Sequence, residues 1–309
     1  MKAHRLRPGV FERVLGALLG ATLLAAPALA AKEKRLAEAR AEIERLIAAS
    51  GAEVAVAART LDGKEELLIA PEVSFHAAST MKIAVMIELF RQARAHKASL
   101  EELLPVKNEF HSIVDGSPYA LDAAEDSDPE VYRAIGQTMT LGRLCEAMIT
   151  RSSNLTANLL IERLGVRNIQ CTVHKLHADG LLVLRGVEDS KAYAKGLNNT
   201  TTARALMKIL EAIARGRAVD PAASRAMAEI LQRQQFNEAI PAGLPPGTPV
   251  AHKTGEITRI HHDAAIVYAP RPYVLVVLVR GLADAKQSAA LIAEITRAVH
   301  RAIQAPGNP

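Results

Sequence analysis

Hydrophobic residues recur at two different spacings along this chain, one typical of β-strands and one typical of α-helices. Strand-like segments lie near both ends, and the first two are separated by Asp62-Gly63, a dipeptide typical of hairpin turns. The last one reads Tyr-Val-Leu-Val-Val-Leu-Val, which is too apolar for a strand with one face in water. The predicted strands cover residues 53–60, 65–70, 250–256, 263–268 and 273–280.

Helix-like segments, with apolar residues three and four positions apart, fill the middle of the chain and flank the strands. One lies at 32–49 and another ends near Ile303. The predicted central helices cover 80–96, 140–150, 154–164, 167–177, 201–215 and 221–234. The order of these segments predicts an α+β fold, in which an antiparallel five-stranded sheet flanked by helices packs against an all-helical lobe.

The first 30 residues have the pattern of an export signal. Basic residues come first, Val14 to Ala26 is almost wholly apolar, and Ala28-Leu29-Ala30 matches a cleavage site. An uncleaved membrane anchor is the alternative, but the apolar run is short for a span of about 20 residues and Pro27 interrupts it. We therefore expect cleavage near Ala30 and a periplasmic or secreted protein without stable membrane insertion.

The remaining residues, 31–309, are expected to form one catalytic domain with two lobes. The α/β lobe would comprise about 31–74 and 248–305, and the helical lobe about 75–247. A cleft between the lobes is the expected place for a functional site. A monomer is expected, with no protein partner.

Charge argues against a nucleic-acid-binding protein. The net charge of +5 comes from 38 Lys and Arg against 33 Asp and Glu, and the leader carries four of the basic residues and one acidic residue. The remaining charge of +2 is dispersed along the chain. No nucleic-acid partner is therefore expected, and the motifs described below point to a small-molecule substrate.

The two cysteines, Cys145 and Cys171, lie in apolar helical settings, so two buried thiols are favoured over a disulfide. His174 and His177 share a helix face but have no evident third ligand, and His261 and His262 must point apart on a strand. No metal or organic cofactor is predicted.

Three short motifs, 73 and 101 residues apart, carry the candidate chemistry. Each is weak alone, but together they supply a nucleophilic hydroxyl, a lysine base, a second hydroxyl for proton relay and a cationic strand. The motifs are Ser79-Thr80-Met81-Lys82, Ser152-Ser153-Asn154 and Lys253-Thr254-Gly255.

Ser79 is the candidate nucleophile because Lys82, one helical turn later, can approach its hydroxyl. The alternative is a serine helix cap followed by a surface lysine. The apolar residues that follow Lys82 favour a buried helix, in which loss of solvent would lower the lysine pKa toward the range of a base.

The other two motifs are expected to complete the site. Ser152 would pass a proton to a leaving nitrogen, and Asn154 would hold a substrate carbonyl, although both could simply cap a helix. Lys253 and Thr254 would bind a carboxylate, and Gly255 would let a ligand lie flat against the strand. Strand alternation sends His252 to the face opposite Lys253, outside the site.

This motif set resembles that of the class A β-lactamases and the wider penicillin-recognising serine hydrolases. The resemblance spans about 32–304 and includes the segments 148–160 and 240–255 around the second and third motifs. It implies an α/β lobe against a helical lobe, and an oxyanion hole formed by the backbone N–H groups of Ser79 and Glu256.

The chain departs from the family pattern at several positions. Ser153 stands where the family usually has an aspartate, and Glu256 stands where it usually has a small residue. The acidic stretch 111–132 is longer than expected at the cleft rim. Within it, a surface loop is the favoured interpretation, with Tyr119 at the entrance as the alternative.

The loop after the helical lobe departs most. Glu188 is the expected general base for deacylation, but it lies one residue later than the usual arginine–glutamate spacing after Arg185. Ala192 occupies the place of an asparagine that shares the water, and Asn199 replaces an aspartate that pairs with the arginine. The alternative is that Glu188 is a solvated acid beside Asp189.

These residues predict a secreted serine hydrolase that resembles a class A β-lactamase. Ser79 would attack an amide, Lys82 or a Glu188-bound water would take the proton, and water activated by Glu188 would release the acyl group. The alternatives are a penicillin-binding D,D-peptidase- or esterase-like hydrolase with slow deacylation, and a sensor that is acylated once by a β-lactam or muropeptide.

Overall fold

A computed structural model describes residues 32–305. The proposed signal peptide, 1–30, lies outside this range. Five strands form one antiparallel sheet in the order β2-β1-β11-β10-β9, so β9 is an edge strand. These strands are β1 (Glu53–Thr60), β2 (Glu66–Ile69), β9 (Val250–Ile257), β10 (Ile260–Val267) and β11 (Tyr273–Arg280).

The intervening strands form short two-stranded pairs outside this sheet: β3 with β8, β4 with β7, and β5 with β6. They are β3 (Phe75–His76), β4 (Leu103–Pro105), β5 (Phe110–His111), β6 (Pro118–Tyr119), β7 (Thr138–Thr140) and β8 (Thr200–Thr201). The sequence pattern did not predict these pairs, because two or three residues are too few to show a period.

Helices flank the sheet and fill the middle of the chain, as predicted. They are α1 (32–50), α2 (Lys82–Arg94), α3 (Leu141–Thr150), α4 (Asn154–Leu164), α5 (Val166–Lys175), α6 (Ser190–Ala194), α7 (Ala203–Ala214), α8 (Pro221–Gln232) and α9 (Ala285–Gln304). Three 3₁₀ helices cover Ala78–Met81, Pro129–Ala134 and Pro241–Gly243. Of the α-helices, the sequence pattern missed only α6, a single turn.

The apolar pattern of β11 is explained by packing on both faces of the sheet. Val274, Val276 and Leu278 belong to the core shared with the central helices, whereas Leu275 and Val277 face the core formed with α1 and α9. Helix α7 packs on β1, β10 and β11. The predicted α+β fold, with its five-stranded antiparallel sheet, is confirmed.

The two thiols differ in burial, and no disulfide joins them. Cys145 is buried, and burial raises its pKa to about 12, whereas Cys171 is exposed. The expectation that both are buried was wrong for Cys171. Helix α5 buries Ile169, Thr172 and Val173, and position 171 falls on its outer face.

Within residues 32–305, no helix is long and apolar enough to cross a membrane.

Candidate active site

Ser79 lies in the 3₁₀ helix Ala78–Met81, directly before α2. It is half-buried, and the N-cap of this helix is Ala77, which makes no side-chain capping bond. The backbone enters the helix through Ala78 at φ +45°, with its N–H donating to Nδ1 of His76 at 3.1 Å. The interpretation of Ser79 as a helix cap therefore does not fit the structure.

Lys82 is fully buried at the start of α2 and reaches the turn between α3 and α4. Its Nζ donates to the backbone oxygen of Ser152 at 2.6 Å and to Oδ1 of Asn154 at 2.8 Å. Within the described residues, no direct hydrogen bond joins Lys82 to the Ser79 hydroxyl. Burial lowers the pKa of Lys82 to about 7, against the opposing effect of the Asp126 and Glu188 carboxylates.

Lys253 is a second fully buried amine, on the edge strand β9. Its Nζ donates to Oγ of Ser152 at 2.9 Å and to the backbone oxygen of Thr254 at 2.9 Å. Burial, and then the charge of Lys82, holds the pKa of Lys253 well below its usual range. The Ser152 hydroxyl also lies 3.5 Å from Nζ of Lys82, so it stands between the two amines.

The turn that carries Ser152 and Asn154 has a strained backbone. Ser152 has a φ of +60°, a conformation that costs free energy for a residue with a Cβ atom. Ser153, fully buried, caps α4 by accepting from the N–H of Thr156 at 3.4 Å. Capping thus falls to Ser153, and the side chains of Ser152 and Asn154 contact the two lysines.

Gly255 lets β9 pack directly on the Ser79 segment. A Cβ atom at this position would lie 3.2 Å from the backbone nitrogen of Ser79 and 3.1 Å from Cγ2 of Thr80. Thr254 is half-buried beside it, and Glu256 is exposed with its carboxylate 3.8 Å from Nε2 of His261.

His252 lies outside the cleft, as alternation along β9 predicts. Its Nδ1 contacts Oδ1 of Asp263 at 2.9 Å, and its Nε2 contacts Oδ1 of Asn237 at 3.2 Å. Its bonding partners therefore differ from those of Lys253, which bonds to Ser152.

Glu188 lies at the cleft, where its Oε1 accepts from Nδ2 of Asn154 at 2.8 Å. The residue as a whole is exposed, while its carboxylate has lost part of its solvent. This loss of solvent raises the pKa of the Glu188 carboxyl, the bond from Asn154 opposes the rise, and the charge of Asp126 adds to it. Glu188 also has a φ of +62°.

The loop that carries Glu188 is held by α4 and by the insertion 111–132. Asn158 accepts from the N–H of Val187 at 2.6 Å and donates to its oxygen at 3.0 Å. The Tyr119 hydroxyl donates to the same oxygen at 3.3 Å. The insertion therefore contacts this loop directly, and Tyr119 is half-buried against it. The sequence assigned no role to Asn158.

Asp189, the neighbour of Glu188, anchors the loop. It is 2% exposed, accepts from Oγ of Ser112 and the N–H of Ile113 in the insertion, and caps α6 through the N–H of Ala192. Hydrogen bonds to these groups and the Arg185 charge, acting against burial, lower the pKa of Asp189.

Asn199 does not bond to the Arg185 side chain, although it stands where the family has an aspartate that pairs with this arginine. Its Oδ1 accepts from the N–H groups of Leu184 and Arg185, and its Nδ2 donates to the oxygen of Arg185. The Arg185 guanidinium instead donates to Leu197 and Asn198. The side chain of Ala192 is a buried methyl group and offers the loop no hydrogen bond.

Asp126 is the site residue that the sequence did not reveal. Its carboxylate accepts from the backbone N–H groups of Asn154 and Leu155 at the start of α4. No short spacing links position 126 to any motif, so only the fold brings it there.

No cluster of three or more metal-binding side chains occurs in the described part of the chain. His174 pairs with Asp179 at 2.7 Å, and His262 contacts the backbone oxygen of His76 at 2.9 Å.

Known proteins resemble this chain in sequence and in fold. A β-lactamase from Bacillus licheniformis is 28% identical over 234 residues, which cover 71% of this chain and 74% of that protein. A β-lactamase from Mycobacterium tuberculosis H37Rv is 28% identical over 201 residues, covering 59% of this chain and 63% of that protein.

Solved structures share the fold. An ancestral class A β-lactamase superposes with a TM-score of 0.75 at 25% identity, covering 85% of this chain and 99% of that one. The model of the β-lactamase enzyme family matches residues 38–303, a range that runs from α1 to α9 and includes all three motifs. The chain therefore belongs to the β-lactamase enzyme family.

Proposed function

We propose that this protein is a secreted serine β-lactamase of the class A type, which opens the β-lactam amide through an acyl-enzyme on Ser79. The proposal rests mainly on the position of the Ser152 hydroxyl. Its Oγ lies 2.9 Å from Nζ of Lys253 and 3.5 Å from Nζ of Lys82. Two buried amines with lowered pKa values around one hydroxyl would serve as a proton relay for Ser79, the candidate nucleophile.

Acylation would begin when Oγ of Ser79 attacks the carbonyl carbon of the substrate. Its proton would pass to the uncharged amine of Lys82, or to Glu188 through a bound water, and the C–O bond would form. The backbone N–H groups of Ser79 and Glu256 would stabilise the oxyanion. As the C–N bond breaks, Ser152 would give its proton to the leaving nitrogen and regain one from a lysine.

The third motif would bind the substrate. Lys253 and Thr254 would bind its carboxylate, and the Asn154 amide would hold a carbonyl group. Gly255 carries no side chain, so the ligand would lie flat along the edge of β9, next to Ser79. The exposed carboxylate of Glu256 would disfavour acidic groups at the outer end of this subsite.

Deacylation would use Glu188 as a general base. A water molecule beside its carboxylate would lose a proton to Glu188 and attack the acyl carbon, so that Ser79 leaves with its hydroxyl restored. The raised pKa of Glu188 suits this exchange, and Asn154 holds the carboxylate in the cleft.

A slowly deacylating, penicillin-binding hydrolase is the second candidate. It is favoured by Ala192, whose buried methyl group offers the hydrolytic water no hydrogen bond. Such a protein would form the same Ser79 adduct but release it slowly, on a peptide or ester substrate or as a sensor.

One experiment separates these functions. The purified protein is mixed with a chromogenic cephalosporin, and colour and intact mass are followed together. Sustained colour formation with free enzyme remaining supports the β-lactamase. One equivalent of colour with a lasting adduct supports the second candidate. The absence of both would contradict each proposal.

The acylation rate is expected to depend on pH through Lys82. Only the uncharged amine accepts a proton, and the pKa of Lys82 is about 7, so the rate constant for adduct formation should rise as pH increases through about 7. Rapid-quench mass spectrometry between pH 5 and 9 measures it. A pH-dependent limb should persist in Glu188→Gln, at lower pH because the Glu188 charge that raises the pKa of Lys82 is gone. Loss of the limb there would assign the proton to the Glu188-bound water.

A further inference from the structure

Asp126 is a buried carboxylate that no step of this mechanism uses, although it contacts the α3–α4 turn. It is 6% exposed, and its Oδ2 accepts from the backbone N–H groups of Asn154 at 3.0 Å and Leu155 at 2.9 Å. The same oxygen accepts from Oγ of Ser153 at 3.3 Å and from the hydroxyl of Tyr132 at 3.1 Å. Its partners thus lie on both the turn and the insertion.

These contacts meet a physical need of α4. The first N–H groups of a helix have no partner within the helix, and the positive end of the helix dipole favours a negative charge there. Ser153 satisfies only the N–H of Thr156. Asp126 satisfies the two preceding N–H groups with a charged acceptor, which makes stronger hydrogen bonds than a neutral one.

The turn held in this way carries the acceptors of Lys82. The Nζ atom of Lys82 bonds to the backbone oxygen of Ser152 and to Oδ1 of Asn154, and the Ser152 hydroxyl bonds to Lys253. Ser152 has a φ of +60°, so the turn is strained and needs support from its surroundings. Asp126 supports it through the backbone N–H groups of Asn154 and Leu155, which are not the atoms that bond to the lysines.

We infer that Asp126 is a positioning residue, supplied by the insertion, whose carboxylate fixes the Ser152–Asn154 turn in the geometry needed for proton relay; this inference rests on the proposed function. It acts through the turn and makes no contact with Ser79. Because Ser153 is a serine, the carboxylate at this place comes from another segment of the chain.

The charge of Asp126 also reaches the two candidate bases. It raises the pKa of both Lys82 and Glu188. The charges of Lys82 and Glu188 also act on each other, and the amine of Lys82 interacts with the amine of Lys253. Removing the charge should therefore lower both pKa values. The acid limb of the acylation rate should then move to lower pH whichever of the two is the base.

The test moves the carboxylate rather than only removing it. Asp126→Asn removes the charge. The pair Asp126→Ser with Ser153→Asp places it on the turn, at a position whose Oγ now lies 3.3 Å from Oδ2 of Asp126. Acylation by a fluorescent penicillin is measured against pH, thermal unfolding is followed for each variant, and the Lys82 amine is titrated by NMR. Glu125→Gln, an exposed acid of the same insertion, is the matched control.

Asp126→Asn is expected to acylate about 10- to 100-fold more slowly, since a small misplacement of catalytic groups has effects of this size. The acid limb of its acylation rate and the midpoint of its Lys82 titration should both move to lower pH. The relocated pair should recover most of the rate and both midpoints, and Glu125→Gln should match the wild type.

Unchanged rates and midpoints in Asp126→Asn would overturn the inference. A folded relocated pair that stays about 10-fold or more slower than the wild type would overturn it too. If Asp126→Asn does not fold, the acylation rate of the relocated pair alone decides whether the inference holds. If the wild-type protein forms no penicillin adduct, the proposed function fails. The NMR titration, which needs no substrate, then still decides whether Asp126 acts on Lys82.

Discussion

Ser79→Ala is expected to form no covalent adduct and to lower turnover by about 10⁴-fold or more, the size of effect seen when a serine nucleophile is removed. The loss should be this large because the buried amines of Lys82 and Lys253 have no other activated hydroxyl in the position of Ser79. Turnover of a chromogenic cephalosporin and intact mass after penicillin treatment measure the two effects.

Ser74→Ala is the matched control, because Ser74 is an exposed serine five residues earlier. It should keep both turnover and adduct formation. An adduct that survives in Ser79→Ala would show that another residue is the nucleophile. Ser152 would be the first to test, since its hydroxyl contacts both lysines.

Glu188→Gln is expected to trap the acyl-enzyme. Glutamine keeps the acceptor for Nδ2 of Asn154 but cannot take a proton from water, so turnover should fall about 10²- to 10⁴-fold, as for loss of a general base. The adduct on Ser79 should then accumulate within seconds and persist. Pre-steady-state colour formation and time-resolved intact mass measure acylation and deacylation separately.

The control for this variant is Glu125→Gln, which changes an exposed acid in the same way. It should leave both steps unchanged. If Glu188→Gln deacylates at the wild-type rate, Glu188 is not the base. If the wild-type protein itself holds a lasting adduct, the variant will show no further trapping, and the slowly deacylating candidate is then the better description.

The strands and long helices follow from the sequence because each has a clear period. The continuous apolar run of β11 predicts burial on both faces, and Val274 and Leu275 do face different cores. The three motifs likewise predict which residues share the cleft. Lys82, Ser152, Asn154 and Lys253 are joined by hydrogen bonds in the structure.

Contacts between distant segments could not be predicted in the same way. Asp126 bonds to Asn154 across 28 residues, and Asp189 bonds to Ser112 across 77 residues, and neither pair leaves a pattern in one sequence. Lys82 points toward Ser152 rather than Ser79 because its acceptors, the Ser152 oxygen and Asn154, lie on a segment 70 and 72 residues away. Cys171 shows a limit of a different kind. The apolar spacing predicted its helix, but we did not predict from it that the Cys171 side of the helix faces solvent.

The position of Asp126 has a consequence for how enzymes of this kind are found. A text pattern that demands an acidic residue between the serine and the asparagine would pass over this chain. A spatial template, with a carboxylate oxygen about 3 Å from the first amides of the helix, would accept it regardless of which segment supplies the oxygen. A search of structures with such a template should find family members in which this carboxylate comes from a different position in the sequence.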